Sequence, residues 1–254
     1  APLVSIIINC HNGEKFLKKA INSILNQSYK NWEIIFWDND SKDNSYKIIR
    51  DFKDKRIKCF YSNIYNTLYK SRNLAIKKTK GQYICFLDTD DQWLNFKLSK
   101  QVKLITSSNY DIIFSNFIIK NEIKKKQHSR EVYFNKKKDL TQNFLDDYFL
   151  GILTVLMKKK IYKKFKFDSK YQIIGDFDFF LKMSLIYKFY YFKESQAIYR
   201  IHNNNLSQKR ISLHVKELQT WLKENQKKFK NYNCNSIKLL ILKLRLKNFF
   251  KFLF

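Results

Sequence analysis

Short runs of β-branched and aromatic residues alternate with amphipathic stretches through the first 120 residues. Val4 to Ile8, Glu33 to Trp37, Ile57 to Tyr61, Tyr83 to Leu87 and Asp111 to Phe114 are the runs. The first and fourth are apolar almost throughout, as in strands covered on both faces. Between them lie an Asn12-Gly13 turn and apolar residues at helical spacing: Phe16, Leu17, Ala20, Ile21, Ile24 and Leu25. Ser45 to Phe52, Leu68 to Lys78 and Phe96 to Ile105 also read as helices. Strand–helix alternation of this kind predicts a mainly parallel α/β sheet flanked by helices. Such sheets bind ligands beyond the carboxyl ends of their strands.

The pattern changes after Asn116. Lysine clusters at 124–126 and 136–138 mark exposed loops or a hairpin. Leu140 to Leu150 and Asp176 to Tyr187 read as helices, and Ile152 to Met157, Phe189 to Phe192 and Ala197 to Ile201 as strands. We read 1–210 as one domain, with halves 1–116 and 117–210, followed by a basic helical tail over 211–254.

Composition narrows the class. Fifty basic against 22 acidic residues give a net charge of +28, but 44% hydrophobic residues exclude a disordered polyelectrolyte. Only seven of the basic residues are Arg. The lysine excess has two readings: codon bias filling solvated surface, or attraction to anions. The four cysteines form no CxxC pair, which disfavours a disulfide scaffold or a cysteine zinc site. Cys10 and Cys85 fall in predicted strands as small core residues. No apolar run reaches the ~20 residues of a membrane span, and no basic leader precedes the first strand. The expectation is a cytoplasmic protein, with a peripheral position on the inner membrane face as an option.

Two acidic groups sit at predicted strand ends. Asp88-Thr89-Asp90-Asp91 follows the fourth run directly. Carboxylates so crowded repel unless a cation or several donors compensate, and a hard divalent ion is the natural partner. Asp91 alone could be a helix cap. Asp38-Asn39-Asp40-Ser41-Lys42-Asp43 follows the second run. Asp38 and Asn39 suit contact to a base and ribose; an Asx turn is the alternative and fits Asp43 best.

Taken in order, these segments resemble the family 2 glycosyltransferases of GT-A fold. Leu3 to Asn12 is similar to their VSIIIPxYN strand, with Asn9 for Pro and His11 for Tyr. Ile24 to Tyr29 resembles SILxQTY, and Trp37 to Asp43 resembles VDDGSTD with Asn39 for the second Asp. Ser71-Arg72-Asn73 and Gly81 to Asp91 resemble ARNxG…GxYIxFLDxDD. Gly175-Asp176-Phe177-Asp178 resembles the ED-x-D segment, with Gly175 for Glu, and Tyr199 to Ser207 resembles YRxHxxxxS. The resemblance implies a Rossmann-like GT-A sheet whose first half binds a nucleotide-sugar and whose second half binds the acceptor. It implies Mn2+ or Mg2+ on Asp90, with Asp88 and His202 beside it. It implies nucleotide-sugar contacts from Asn9, His11, Asn12, Asp38, Asn39, Arg72, Asp88, Thr89 and Arg200. Asp176 would be the general base of an inverting transfer. The donor would be UDP-linked, and the acceptor a glycan or lipid-linked hydroxyl in bacterial surface polysaccharide assembly. The QxxRW motif of processive synthases does not occur, which implies single-sugar transfer.

Ile237 to Phe254 holds five Lys or Arg and no acid. Leu239, Leu242, Leu246, Phe249, Phe250 and Leu253 form one helical stripe. A cationic amphipathic helix of this kind could lie on an anionic membrane; packing on the domain or a homodimer seam are the alternatives. A nucleic-acid-binding protein without sugar transfer is the rival reading of the charge. Against it, the lysines form no RNP-like motif and acidic strand ends repel phosphate, so no nucleic-acid partner is expected. A nucleotidyltransferase would carry a glycine-rich basic loop after the first strand, and residues 9–14 hold one Gly and no Arg.

Overall fold

The computed structural model describes residues 1–253. Phe254, the last residue of the expected tail, and the side chains of Ser207 and of 250–253 lie outside the described residues. The elements run β1 (Val4–Cys10), α1 (Glu14–Leu25), β2 (Trp32–Asn39), α2 (Ser45–Asp51), β3 (Ile57–Ser62), α3 (Leu68–Lys77), β4 (Tyr83–Phe86), β5 (Gln92–Trp93) and α4 (Lys97–Ser107). They continue β6 (Ile112–Asn121), β7 (Lys126–Ser129), α5 (Leu140–Asp146), β8 (Leu156–Lys158), α6 (Lys159–Lys164), α7 (Gly175–Ser184), β9 (Phe189–Ile201), α8 (Leu206–Lys209), α9 (Ile211–Asn225) and α10 (Asn235–Leu253).

One sheet runs β3-β2-β1-β4-β8-β6-β9-β5, with β7 hairpinned onto β6. The first four strands are parallel, with Val4 beside Trp32 and Tyr83. From β8 the pairing becomes mixed: β4 and β6 both meet β8 antiparallel, and β9 lies parallel to β6. Successive side chains of β1 enter opposite layers, as strand geometry requires. Ile6 and Ile8 pack with α1 and α4 through Leu17, Ile21, Leu98 and Val102. Ile7 faces the other layer, where α3, α7 and α9 contribute Ile76, Phe179, Phe180 and Trp221. The carboxyl ends of β1, β2 and β4 thus open between two packed layers.

The structure differs from the sequence reading at four places. The strands expected at 189–192 and 197–201 are one strand, β9, because Lys193 and Glu194 are exposed within it and interrupt the apolar run. Its partner β6 extends to Asn121 and absorbs register shifts at Ser115/Asn116 and Asn116/Phe117. The helix expected over Leu140 to Leu150 stops at Asp146, and a 3-10 turn at Ile152–Thr154 precedes β8.

The tail expected as helical over 211–254 holds two helices, α9 and α10, and α9 packs into the main core. Val215, Leu218 and Trp221 of α9 are buried there, and Trp221 Nε1 donates to Asp178 Oδ1 at 2.9 Å. Glu217 accepts from the backbone N–H of Gln172, Ile173 and Ile174 at 2.7, 3.0 and 3.1 Å. Ile237 and Ile241 turn α10 onto the core. Of the expected stripe, Leu239, Leu242, Leu246 and Phe249 are 51, 53, 52 and 61% exposed. These four therefore lie away from the face packed by Ile237 and Ile241, while Phe250 and Leu253 of the stripe fall outside the described side chains. Among the described residues no helix is long and apolar enough to cross a membrane.

Candidate active site

The turns after β1 and β2 are stitched together. Asn12 and Asp40 take left-handed φ values of 54° and 63°, which Asn and Asp tolerate better than most residues. Asn12 N donates to Ser41 Oγ at 3.0 Å, and Lys42 N to Asn12 Oδ1 at 2.8 Å. Asp38 is wholly buried and accepts from Ser41 N, three residues on, at 2.8 Å. Burial pushes its carboxyl above the usual range. Asp43 accepts from Glu14 N and Ser45 N, the capping role its position predicts. Asn39 uses both ends of its amide on the backbone of Asn66, at 2.8 and 3.0 Å, and so fastens the loop into α3. His11 sits 2.9 Å from the Asn39 carbonyl and edge-on to Tyr65, with ring centroids 4.6 Å apart.

The acidic turn after β4 divides its carboxylates among different partners. Arg72, on α3 and 2% exposed, donates to Asp88 Oδ1 at 2.6 Å. Asp90 Oδ2 lies 2.9 Å from His202 Nε2 and 3.5 Å from Asn205 Nδ2. Burial, then the Asp88 charge, pushes the Asp90 carboxyl above its ordinary value. Asp91 is buried and accepts from Arg200 N at 2.9 Å. Its carboxyl is driven well up by desolvation and by Asp90 and Asp88. The Arg200 guanidinium, 1% exposed, donates to the Asp90 carbonyl and to Gln92 Oε1 at 2.9 and 2.8 Å and pairs with Glu122. Gly13 fits because a Cβ there would meet Thr89 Oγ1 at 2.9 Å.

Asp176 opens α7. It accepts from Phe177 N at 2.9 Å, and the Tyr69 hydroxyl lies 3.0 Å from its Oδ1. Desolvation pushes its carboxyl up, while the Arg72 charge pulls the other way. Gly175 has no room for a Cβ, which would fall 2.4 Å from the Tyr69 ring.

These segments enclose a cleft of about 780 Å³, a size that suits a ligand-binding site. Asn9, His11, Asn39, Arg72, Asp88, Thr89, Asp90 and Asp176 line it together. Asn12, Asp38, Arg200 and His202 are not among the residues that line it. Asn12 and Asp38 hold the turns, and His202 reaches Asp90. Arg200 braces the acidic turn from within the protein, where the resemblance placed it on phosphate; its backbone and guanidinium are both drawn to residues 90–92. Among the described residues no three His, Cys, Asp or Glu side chains gather around one point as a metal cluster. Asp90 and His202 touch, whereas Asp88 faces Arg72. The amide of Asn9 and the Ser71 hydroxyl line the cleft without a hydrogen-bond partner among the described residues. Sequence reasoning missed Tyr65, Tyr69, Arg130 and Tyr148 in the same wall, and His214, expected as a structural or surface residue, stands there too. For Asn205 the Asn203-Asn204-Asn205 run beside His202 was the available signal.

Known proteins resemble this arrangement. The sequence matches the family described as Glycosyl transferase family 2 over residues 5–183. It is 32% identical over 168 residues to the Escherichia coli UDP-Glc:alpha-D-GlcNAc-diphosphoundecaprenol beta-1,3-glucosyltransferase WfgD, covering 65% of this chain and 64% of that protein. It is 39% identical over 120 residues to the corresponding E. coli enzyme WfaP, covering 47% of this chain and 48% of that one. The matched segments thus span 64% and 48% of the length of these relatives, less than two thirds of either. The fold is similar to that of S. aureus TarS 1-349 in complex with UDP, with TM-score 0.66, 19% identity, and 85% of this chain and 65% of that chain covered. It is equally similar to the Pyrobaculum calidifontis mannosyltransferase PcManGT in complex with GDP-Man and Mn2+, with TM-score 0.66, 14% identity, and 89% and 64% covered.

Proposed function

We propose, on the premise that this chain belongs to glycosyl transferase family 2, that it moves one sugar from a nucleotide-diphosphate sugar to a hydroxyl of a lipid-linked glycan acceptor, with inversion at the anomeric carbon. One observation carries the reading. A half-buried carboxylate with a raised pKa, Asp176, shares a cleft with the Asp88–Asp90 turn and with Arg72. Perturbed carboxylates in a cleft are the expected signature of acid–base chemistry.

The donor occupies the ends of β1, β2 and β4. Asn9 offers a free amide to the nucleotide, His11 and Tyr65 offer ring surfaces, and Asp88 and Thr89 face the ribose and diphosphate. Arg72 donates to the departing diphosphate. The acceptor hydroxyl gives its proton to Asp176 as its oxygen attacks the anomeric carbon and the bond to the diphosphate breaks. One carboxylate acting without a second nucleophile leaves the configuration inverted. Tyr69 holds Asp176 in place, and Arg200 holds the acidic turn. Asp90 and His202 fit a hard divalent ion such as Mn2+ or Mg2+, because oxygen and imidazole nitrogen lie side by side on a carboxylate whose crowding a cation would relieve. Two protein ligands suffice where substrate phosphates complete the coordination. Such an ion would supply Lewis-acid stabilisation of charge on the diphosphate.

The names of the E. coli relatives support a UDP-glucose donor and a diphosphoundecaprenol acceptor. Leu242 and Leu246, flanked by Lys243, Arg245 and Lys247, would bring the protein to an anionic membrane surface where such an acceptor resides. The test is a donor panel with Mn2+ or Mg2+, scored for acceptor-dependent release of nucleoside diphosphate. The reading expects release from a UDP-sugar, abolished with metal-dependent donor binding in Asp90→Ala. Strongly salt-dependent RNA binding with no turnover of any nucleotide-sugar would overturn it.

A further inference from the structure

Four residues of the donor cleft, Tyr148, Ile173, Asp176 and His214, also close one end of a second cavity of about 500 Å³. Its remaining walls are mostly apolar, with Phe144, Leu145, Phe177, Leu218, Ile237 and Leu240 contributing. It runs from the candidate base to the outer side of α10, where Leu239 and Leu240 are 51 and 41% exposed and Lys243 joins the wall. At the junction of the two cavities the Tyr148 hydroxyl is buried with no partner among the described residues. An occupant that satisfies the Tyr148 hydroxyl offers an acceptor atom at this junction, beside His214, and a hydrocarbon chain would run along the apolar wall toward Leu239, Leu240 and Lys243.

We propose that this groove binds the diphosphate and first isoprene units of a polyprenyl-diphosphate acceptor, so that the acceptor sugar reaches Asp176 while the lipid leaves between Leu239 and Leu240. The inference rests on the lipid-linked acceptor of the proposed function and adds where that lipid is held. Charge favours this occupant over a second copy of the chain. The 237–253 segment carries cations and no acid, and two chains of net charge +28 repel. The groove's other carboxylates, Asp146 and Asp147, are already paired with Lys138 and Arg130. Apolar walls hold a hydrocarbon chain by removing its surface from water.

The experiment is equilibrium binding of radiolabelled geranylgeranyl diphosphate to the full chain without donor, with inorganic diphosphate and geranylgeraniol as separate arms. We expect saturable binding of the whole probe and at least tenfold weaker binding of either fragment. Leu240→Asp and Lys243→Glu, both at the surface, each weaken the probe at least tenfold, and thermal melts verify that they fold. Lys238→Glu makes the same charge reversal as Lys243→Glu at an exposed α10 position outside the groove and leaves probe binding within twofold. Loss of probe binding in Lys238→Glu equal to that in Lys243→Glu would overturn the proposal, since binding would then be adsorption to the helix surface. So would a stable dimer that Leu240→Asp dissolves, with no saturable probe binding. Donor turnover, assayed in parallel on a soluble acceptor, separates the two ideas. Turnover without probe binding sinks only the groove; probe binding without turnover of any donor sinks the transferase reading.

Discussion

Glu217 links the C-terminal helices to the candidate base, and its removal has a magnitude that can be worked out. It is 6% exposed on α9, and its two carboxylate oxygens accept the N–H groups of Gln172, Ile173 and Ile174. That segment leads directly into α7 and Asp176. Glu217→Ala orphans the buried Ile174 N–H, at about 1–3 kcal/mol, and removes two partly solvated bonds worth about 1 kcal/mol each. The expected loss is about 4 kcal/mol, a large share of the typical ~5–15 kcal/mol of a folded protein. At ~2–4 °C per kcal/mol for a chain of this size, Tm falls by about 10 °C. Urea unfolding gives the free energy and calorimetry gives Tm. Glu224→Ala removes only an exposed pair with Lys170 and should change stability by less than ~1 kcal/mol. In the Glu217 variant kcat should fall further than donor affinity, because a base displaced by ~1 Å can cost about 100-fold. A Glu217→Ala protein within 1 kcal/mol of the parent would refute the idea that α9 anchors the base.

Three further outcomes follow from buried groups. Tyr69→Phe removes a hydrogen bond that favours the charged form of Asp176, so the base rises further and the acid limb of kcat/KM moves to higher pH; a pH–rate profile with an unmoved limb would contradict the Tyr69–Asp176 assignment. Lys97 is wholly buried, and desolvation pushes its ammonium down to about 8 from 10.5. Its charge therefore opposes folding most below pH 8, and that cost fades as pH rises toward 10.5, so Lys97→Met should add about 2 kcal/mol at pH 7 and less at pH 9.5; a variant less stable at pH 7 in urea unfolding counts against it. Gly175→Ala would set a Cβ 2.4 Å from the buried Tyr69 ring, costing more than ~2 kcal/mol by overpacking and depressing kcat; an unchanged melt would show the ring yields freely.

The parallel half of the sheet was legible because a strand covered on both faces needs a continuous apolar run, and β1 and β4 supply one. The acidic turn was legible as a cluster because three carboxylates in four residues demand compensation. Its internal division was not. Arg72 takes Asp88 from α3, whereas His202 reaches Asp90 and the Arg200 backbone takes Asp91 from positions far away in sequence that converge through β9 pairing with β5 and β6. β5 has two residues, too few for any periodicity. Asn39 looked like a base contact from its place after β2, but its amide is tied to Asn66, a partner no local pattern marks. Tyr148 and His214 were unreadable for a similar reason: the first follows a helix that ends four residues early, and the second sits on α9, which sequence reading set apart as a tail. The leucine stripe of α10 was visible as a stripe, while the face that packs, through Ile237 and Ile241, was hidden because apolar residues occur on both sides of the helix.

The central claim is that Asp176 removes the acceptor proton in a cleft whose other residues hold the donor. Asp176→Asn nearly preserves shape and hydrogen bonding while abolishing basicity, so it tests that claim most directly. Calorimetry of UDP-sugar binding with Mn2+ should give donor affinity within about threefold of the parent, and the transfer rate should fall by about 10²–10⁴-fold, the usual contribution of a positioned base. Transfer at the parental rate with intact donor binding would mean that the proton goes elsewhere and that Asp176 is only a helix cap.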